Sequence, residues 1–97
     1  MNINGVSNAF LAFMQETPDY SQAWSEMVMK LDAANALDKK TKAIAYISVL
    51  AAVGLTGGIP YHVKHAKSFG VKREEIIGAV LMGLPAVGHL AVQALPV

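Results

Sequence analysis

The chain contains no cysteine among its 97 residues, and charged residues make up only 15% of it. Without a thiol, this chain by itself has no disulfide, thiolate catalysis or cysteine-bound metal. Hydrophobic residues reach 54%. We expect one domain over residues 1–97, and a domain of this size has a large surface for its volume. A single copy therefore cannot bury this much apolar surface.

Either a membrane or other subunits would cover the excess apolar surface. Residues 76–97 lack Asp, Glu, Lys and Arg, and about 20 apolar residues suffice to cross a bilayer. Pro85, His89 and Gln93 interrupt this run, however, and no basic residue follows it. We therefore expect burial within a homo-oligomer and no membrane span.

Charge and targeting signals are also weak. The net charge of +1 offers no clustered basic face of the kind that binds nucleic acid. The first ten residues do not combine a basic region with an apolar core, so no secretion signal is visible and we expect a cytoplasmic location.

Helical patterns dominate, and no alternating pattern lasts through a plausible strand. We predict an all-α orthogonal bundle of five or six helices. The first helix is expected to start near Ser7, and the second at Thr17-Pro18-Asp19, with Thr17 as its cap. One apolar stripe on the second helix is predicted to face the core: Tyr20, Trp24, Met27 and Leu31.

The third helix is predicted to follow Asp38 and to be apolar nearly all round, which indicates burial on several sides. Its two apolar faces carry Ile44, Ile47, Leu50 and Ala51 on one side and Tyr46, Val49 and Val53 on the other.

The turn Thr56-Gly57-Gly58 is predicted to end the third helix. A fourth helix should run from Pro60 to Phe69, with Gly70 at its end. A fifth begins near Lys72, and Pro85 is expected to kink or split it.

His62 is the candidate acid or base. In the first turn of the fourth helix, unpaired N–H groups and the helix dipole disfavour imidazolium, so we expect a neutral ring. The same helix end attracts anions, and Gly57 and Gly58 would let a small carboxylate approach the backbone. A neutral base beside an anion is suited to proton transfer. A histidine merely packed at a helix start is the competing interpretation.

His65 lies one turn after His62, and His89 could supply a third ligand to a transition metal. No Asp or Glu completes a recognisable motif, so we predict no metal site. Tyr61, His65 and His89 remain weak candidates for assisting His62.

Residues 37–81, LDKKTKAIAYISVLAAVGLTGGIPYHVKHAKSFGVKREEIIGAVL, and the later GHLAVQAL resemble the carboxymuconolactone decarboxylase family. This family includes the alkyl hydroperoxidase D branch, and the resemblance covers nearly the whole chain. It implies an all-α alkyl hydroperoxidase D-like fold that assembles as a trimer or hexamer.

The resemblance also shows which family residues are missing. In the hydroperoxidase branch, a CxxC pair precedes the histidine, and those positions are Leu55 and Gly58 here. The branch glutamate falls on Ala43. Only His62 remains of that relay. Intrinsic thiol peroxidase activity is therefore excluded, although a family label of peroxiredoxin activity is expected.

The decarboxylase branch resembles this chain in keeping the histidine without the cysteine pair. The resemblance implies action on a carboxylated lactone with no metal or organic cofactor. That branch is more polar just before the histidine, where this chain has Gly57, Gly58 and Ile59.

Three functions follow as hypotheses. The first is a cofactor-free decarboxylase or lyase that uses His62. The second is a non-catalytic oligomer that binds a small acid or has a structural role. The third is peroxide reduction with thiols supplied by a cysteine-bearing partner.

Overall fold

A computed structural model describes residues 6–96, which form α-helices joined by short turns and contain no β-strand. The predicted all-α fold is confirmed, with two single-turn helices at its C-terminal end. The helices are α1 (Asn8–Glu16), α2 (Pro18–Ala34), α3 (Lys39–Ala52), α4 (Ile59–Ser68), α5 (Arg73–Leu81), α6 (Leu84–Val87) and α7 (His89–Val92). A short 3-10 turn, Thr56–Gly58, leads into α4.

Helices α1 and α2 form an N-terminal hairpin. The Ser7 side chain caps α1 by accepting a hydrogen bond from the Phe10 N–H at 3.2 Å. Thr17 precedes Pro18 as predicted, but its hydroxyl donates to the Phe13 carbonyl at 2.7 Å and makes no cap bond to α2. The predicted Thr17 cap is therefore wrong, because the hydroxyl bonds the Phe13 carbonyl at the end of α1, which also accepts from the Thr17 N–H at 3.2 Å.

The predicted apolar stripe on α2 is not buried in the single chain. Trp24 packs edge-on against Phe10, with ring centroids 5.4 Å apart. Tyr20 and Leu31, by contrast, are 73% and 62% exposed. The prediction that this stripe is core is wrong for the isolated chain, because α1 is the main helix against which α2 packs.

Helix α3 is the centre of the remaining bundle and packs against α4, α5 and α7. It begins where the Asp38 carboxylate accepts a hydrogen bond from the Thr41 N–H at 2.8 Å. This bond lowers the pKa of Asp38. Ile47 is fully buried, and burying a side chain of that size contributes about 1.5–3 kcal/mol. The predicted inner face of α3 is thus confirmed at Ile47, Leu50 and Ala51.

A polar contact and a glycine fix how the other helices meet α3. The Ser48 hydroxyl donates to the Ala79 carbonyl of α5 at 2.7 Å. At Gly83, an added Cβ would lie 3.2 Å from the Ala52 Cβ, so glycine permits the close approach between the end of α3 and the segment before α6.

The C-terminal part is split, as predicted, but the glycines mark the breaks. Helix α5 ends at Leu81, and Pro85 lies in the first turn of α6, where its missing N–H costs nothing. Gly88, with φ 60°, then separates α6 from α7. None of the described helices combines the length and apolar character needed to cross a bilayer.

The conformation of Gly54 predicts a stability difference between two glycine substitutions. Gly54 has φ +77°, and its Cβ would lie 3.2 Å from Leu90 Cδ1. Gly54→Ala should lower the free energy of unfolding by about 1–2 kcal/mol. Gly78 lies inside α5 with open space around it, so Gly78→Ala should raise that free energy by about 0.5–1 kcal/mol.

Urea denaturation at one fixed protein concentration measures both changes, because oligomer stability depends on concentration. Equal effects of the two substitutions would contradict the strained conformation assigned to Gly54.

Candidate functional site

The site is built where the 3-10 turn runs into α4. Helix α4 starts at Ile59, one residue earlier than predicted, with Pro60 in its first turn. His62 therefore lies at the end of this first turn. Its side chain is half-buried.

Two tyrosines flank the His62 ring. Tyr46 of α3 contacts it edge-on at a centroid distance of 4.7 Å, and Tyr61 does so at 5.1 Å. No polar side chain among residues 6–96 forms a hydrogen bond with the imidazole.

Further rings extend this cluster along α4. Tyr61 stacks on His65 with a centroid distance of 6.2 Å and an angle of 7° between the ring planes. His65 in turn contacts Phe69 edge-on at 4.8 Å. The structure therefore brings together three of the predicted residues, Tyr61, His62 and His65, in one continuous series of aromatic contacts.

Burial lowers the pKa of His62 below its ordinary value of 6.5, and electrostatic repulsion from the neighbouring His65 lowers it further. The direction agrees with the predicted neutral imidazole. The main cause is different, since removal of the charged ring from water outweighs the other contributions.

The two glycines immediately precede α4. Gly57 and Gly58 form the end of the 3-10 turn. A Cβ built at Gly58 would lie 3.9 Å from His62 Cδ2, which is an ordinary van der Waals distance. A side chain at this position would thus begin next to the imidazole. A substrate-binding role for Gly57 and Gly58 stays a prediction.

Two further positions correspond to residues of the family relay, and they differ in exposure. Leu55 occupies the first of the two positions that carry cysteines in the hydroperoxidase branch, and it is 61% exposed. Ala43, the position of the family glutamate, is buried in the core. A carboxylate at Ala43 would have to be buried and hydrogen-bonded, whereas the alanine only fills space.

His89 begins α7 and is exposed, and its ring is not among those that contact His62. In the part of the chain that the structure describes, no three His, Asp or Glu side chains approach closely enough to hold a metal ion. Within a single chain, any residue that assists His62 in acid–base chemistry must therefore be one other than His89.

Tyr46 is the residue that sequence analysis missed. It was assigned only to an apolar face of α3, together with Val49 and Val53, yet its ring makes the shortest ring contact of His62. The available signal was its hydroxyl, the polar group on an otherwise aliphatic face. Which helix that face meets could not be read from periodicity.

The lowered pKa predicts how stability depends on pH. The unfolded chain binds a proton on His62 near pH 6.5, whereas the folded chain binds it only at lower pH. Stability should therefore be unaffected by His62 above pH 6.5 and should fall as the pH drops through 6.5 towards the folded pKa. His62→Gln should reduce this loss.

The folded pKa can be read directly from the His62 ring protons by NMR titration, with His62→Gln identifying the signal. A midpoint at or above 6.5 would contradict the desolvated, neutral imidazole.

Comparison with known proteins agrees with this architecture. No curated protein sequence and no solved structure matched the chain. A family model, described as the carboxymuconolactone decarboxylase family, matches residues 18–97. The match starts at the first residue of α2 and includes Tyr46, the 3-10 turn and His62. Because it covers most of the chain, the protein belongs to the carboxymuconolactone decarboxylase family.

Proposed function

We propose that the protein is an acid–base enzyme that acts on a small carboxylated substrate without a metal or organic cofactor. The observation that carries this proposal is the His62 imidazole, which is half-buried, has its pKa lowered by burial, and lies edge-on to the rings of Tyr46 and Tyr61. A neutral imidazole that can exchange protons is the group that such chemistry requires.

Decarboxylation is the reaction that fits the site. The bond between the substrate carbon and its carboxylate breaks, the electron pair enters a conjugated carbonyl, and CO2 leaves. The carbon then takes up one proton. In the proposed reaction, His62 collects that proton from solvent and delivers it to the carbon. A lowered pKa makes the imidazolium a stronger acid towards a weakly basic carbon.

The tyrosines would orient the substrate. The hydroxyl groups of Tyr46 and Tyr61 are placed on rings that contact His62, and a tyrosine hydroxyl can donate to a carboxylate or lactone oxygen. Gly57 and Gly58 would leave room for the substrate beside the helix start.

His62→Gln should lower the rate of CO2 release from carboxymuconolactone by about 10²–10⁴-fold, because general acid–base groups contribute that much. Tyr46→Phe keeps the ring contact and should cause a smaller loss. Tyr20→Phe, on the exposed face of α2, is the matched control and should not change the rate.

CO2 release is measured with purified protein, and circular dichroism confirms that each variant is folded. Full activity of the His62→Gln variant would contradict the proposed catalytic role of His62.

We also infer that copies of the chain assemble, as a trimer or hexamer, and complete the site. The outer face of α3 continues from Tyr46 to Val49 and Val53, which are 55% and 57% exposed. This apolar face adjoins His62 through the Tyr46 ring. A second subunit on this face would cover apolar surface and close one wall around the imidazole.

Val49→Asp should therefore lower the molar mass found by light scattering, because a charge would be buried at the interface. The matched control is Lys39→Asp, a change at the exposed start of the same helix, which should leave the mass unchanged. A monomeric unmodified protein at micromolar concentration would refute assembly through this face.

A non-catalytic, acid-binding or structural oligomer is the second candidate. It is favoured by one observation: the linings of the two cavities described in the chain do not include His62, Gly57 or Gly58. In that case, His62→Gln would alter assembly or ligand binding, and no CO2 release would be found for the unmodified protein.

A further inference from the structure

One cavity of the structure lies apart from His62. A cavity of about 230 Å³ opens between α4, α5 and residues 94–96. Its apolar lining includes Val63, Ile76, Ile77 and Val80, and two cations, Lys67 and Arg73, complete it. Apolar walls with a few convergent polar groups are typical of small-molecule sites.

Neither cation forms an ion pair with a side chain in the part of the chain that the structure describes. The ion pairs of residues 6–96 join Lys40 to Glu75 and Lys42 to Asp32, and neither Lys67 nor Arg73 takes part in one. The Glu75 carboxylate accepts a hydrogen bond from the Lys72 N–H at 2.9 Å, and no acidic residue lines the cavity. The described lining of the cavity therefore carries two positively charged side chains and no negatively charged one.

The cavity and His62 occupy different faces of α4. Ile59, Val63 and Lys67, which line the cavity, recur at four-residue spacing and form one row along the helix. His62 and His65 lie on another face, with the aromatic rings. A ligand in the cavity would thus be bound independently of the proposed acid–base site.

We propose that this cavity binds a small amphipathic carboxylate, with its carboxylate on Lys67 and Arg73 and its aliphatic tail among the isoleucines and valines. The arginine fork matches a planar carboxylate and can bind it through two parallel hydrogen bonds. The volume of 230 Å³ is below the ~300–1,000 Å³ of sites for drug-sized ligands. A carboxylate with a short tail, such as hexanoate, is smaller than those ligands and suits this volume.

Titration with hexanoate, followed by NMR of the full chain, tests the proposal. We expect saturable shifts of the Val63 and Ile77 amide signals. Arg73→Gln and Lys67→Gln should each weaken binding by about tenfold or more, since hydrogen bonds to charged groups contribute about 1.5–3 kcal/mol. Lys30→Gln, on α2 and outside the cavity, is the matched control and should bind as the unmodified protein does.

Ligand variants separate the two parts of the site. Acetate lacks the tail and hexan-1-ol lacks the charge, so both should bind at least about tenfold more weakly than hexanoate. Ile77→Trp should block hexanoate by filling the cavity while leaving both cations in place. His62→Gln should not change hexanoate affinity, so this site and the proposed catalytic site can fail separately.

Three results would overturn the proposal: no saturable shift at millimolar hexanoate, an affinity of both cation variants unchanged from that of the unmodified protein, or tighter binding of hexyl phosphate than of hexanoate. Tighter binding of hexyl phosphate would indicate that Lys67 and Arg73 recognise a phosphate group.

Discussion

The burial of α3 is the constraint on which the rest of the structure depends. One face of this helix supplies the buried side chains of Ile47, Leu50 and Ala51, against which α4 and α5 pack. An adjacent face presents Tyr46 to His62 and leaves Val49 and Val53 exposed. The same helix therefore holds the fold together and forms one wall of the candidate site. This sharing explains why α3 is apolar nearly all round although a single chain covers only part of it.

Much of the fold was predictable because the deciding signals are local. The Asp38 carboxylate caps α3, Ser7 caps α1, and Gly70, with φ 82°, follows the end of α4. Each of these depends on a residue type and its immediate neighbours. Thr17 was misassigned because its hydroxyl could satisfy either of two helix ends, and only the actual backbone geometry decides between them.

The candidate site was predictable only in part. His62 could be placed at a helix start from Gly58 and Pro60, and its neutral state could be anticipated from that position. Its contact with Tyr46 joins residues on two different helices, and the cavity beside Lys67 and Arg73 joins α4, α5 and the C-terminal residues. Such contacts depend on how the helices pack, which spacing within one helix does not reveal.

Membership in the carboxymuconolactone decarboxylase family and the exposed apolar face of α3 both support our central proposal, in which a neutral imidazole works in a site that neighbouring copies complete. The most direct measurement is a crystal structure of the assembled protein. The account predicts that the Tyr46–His62 face lies at a subunit interface and encloses a cavity that reaches the imidazole nitrogens. A His62 ring fully packed by apolar side chains, with no space beside its nitrogens, would contradict the account.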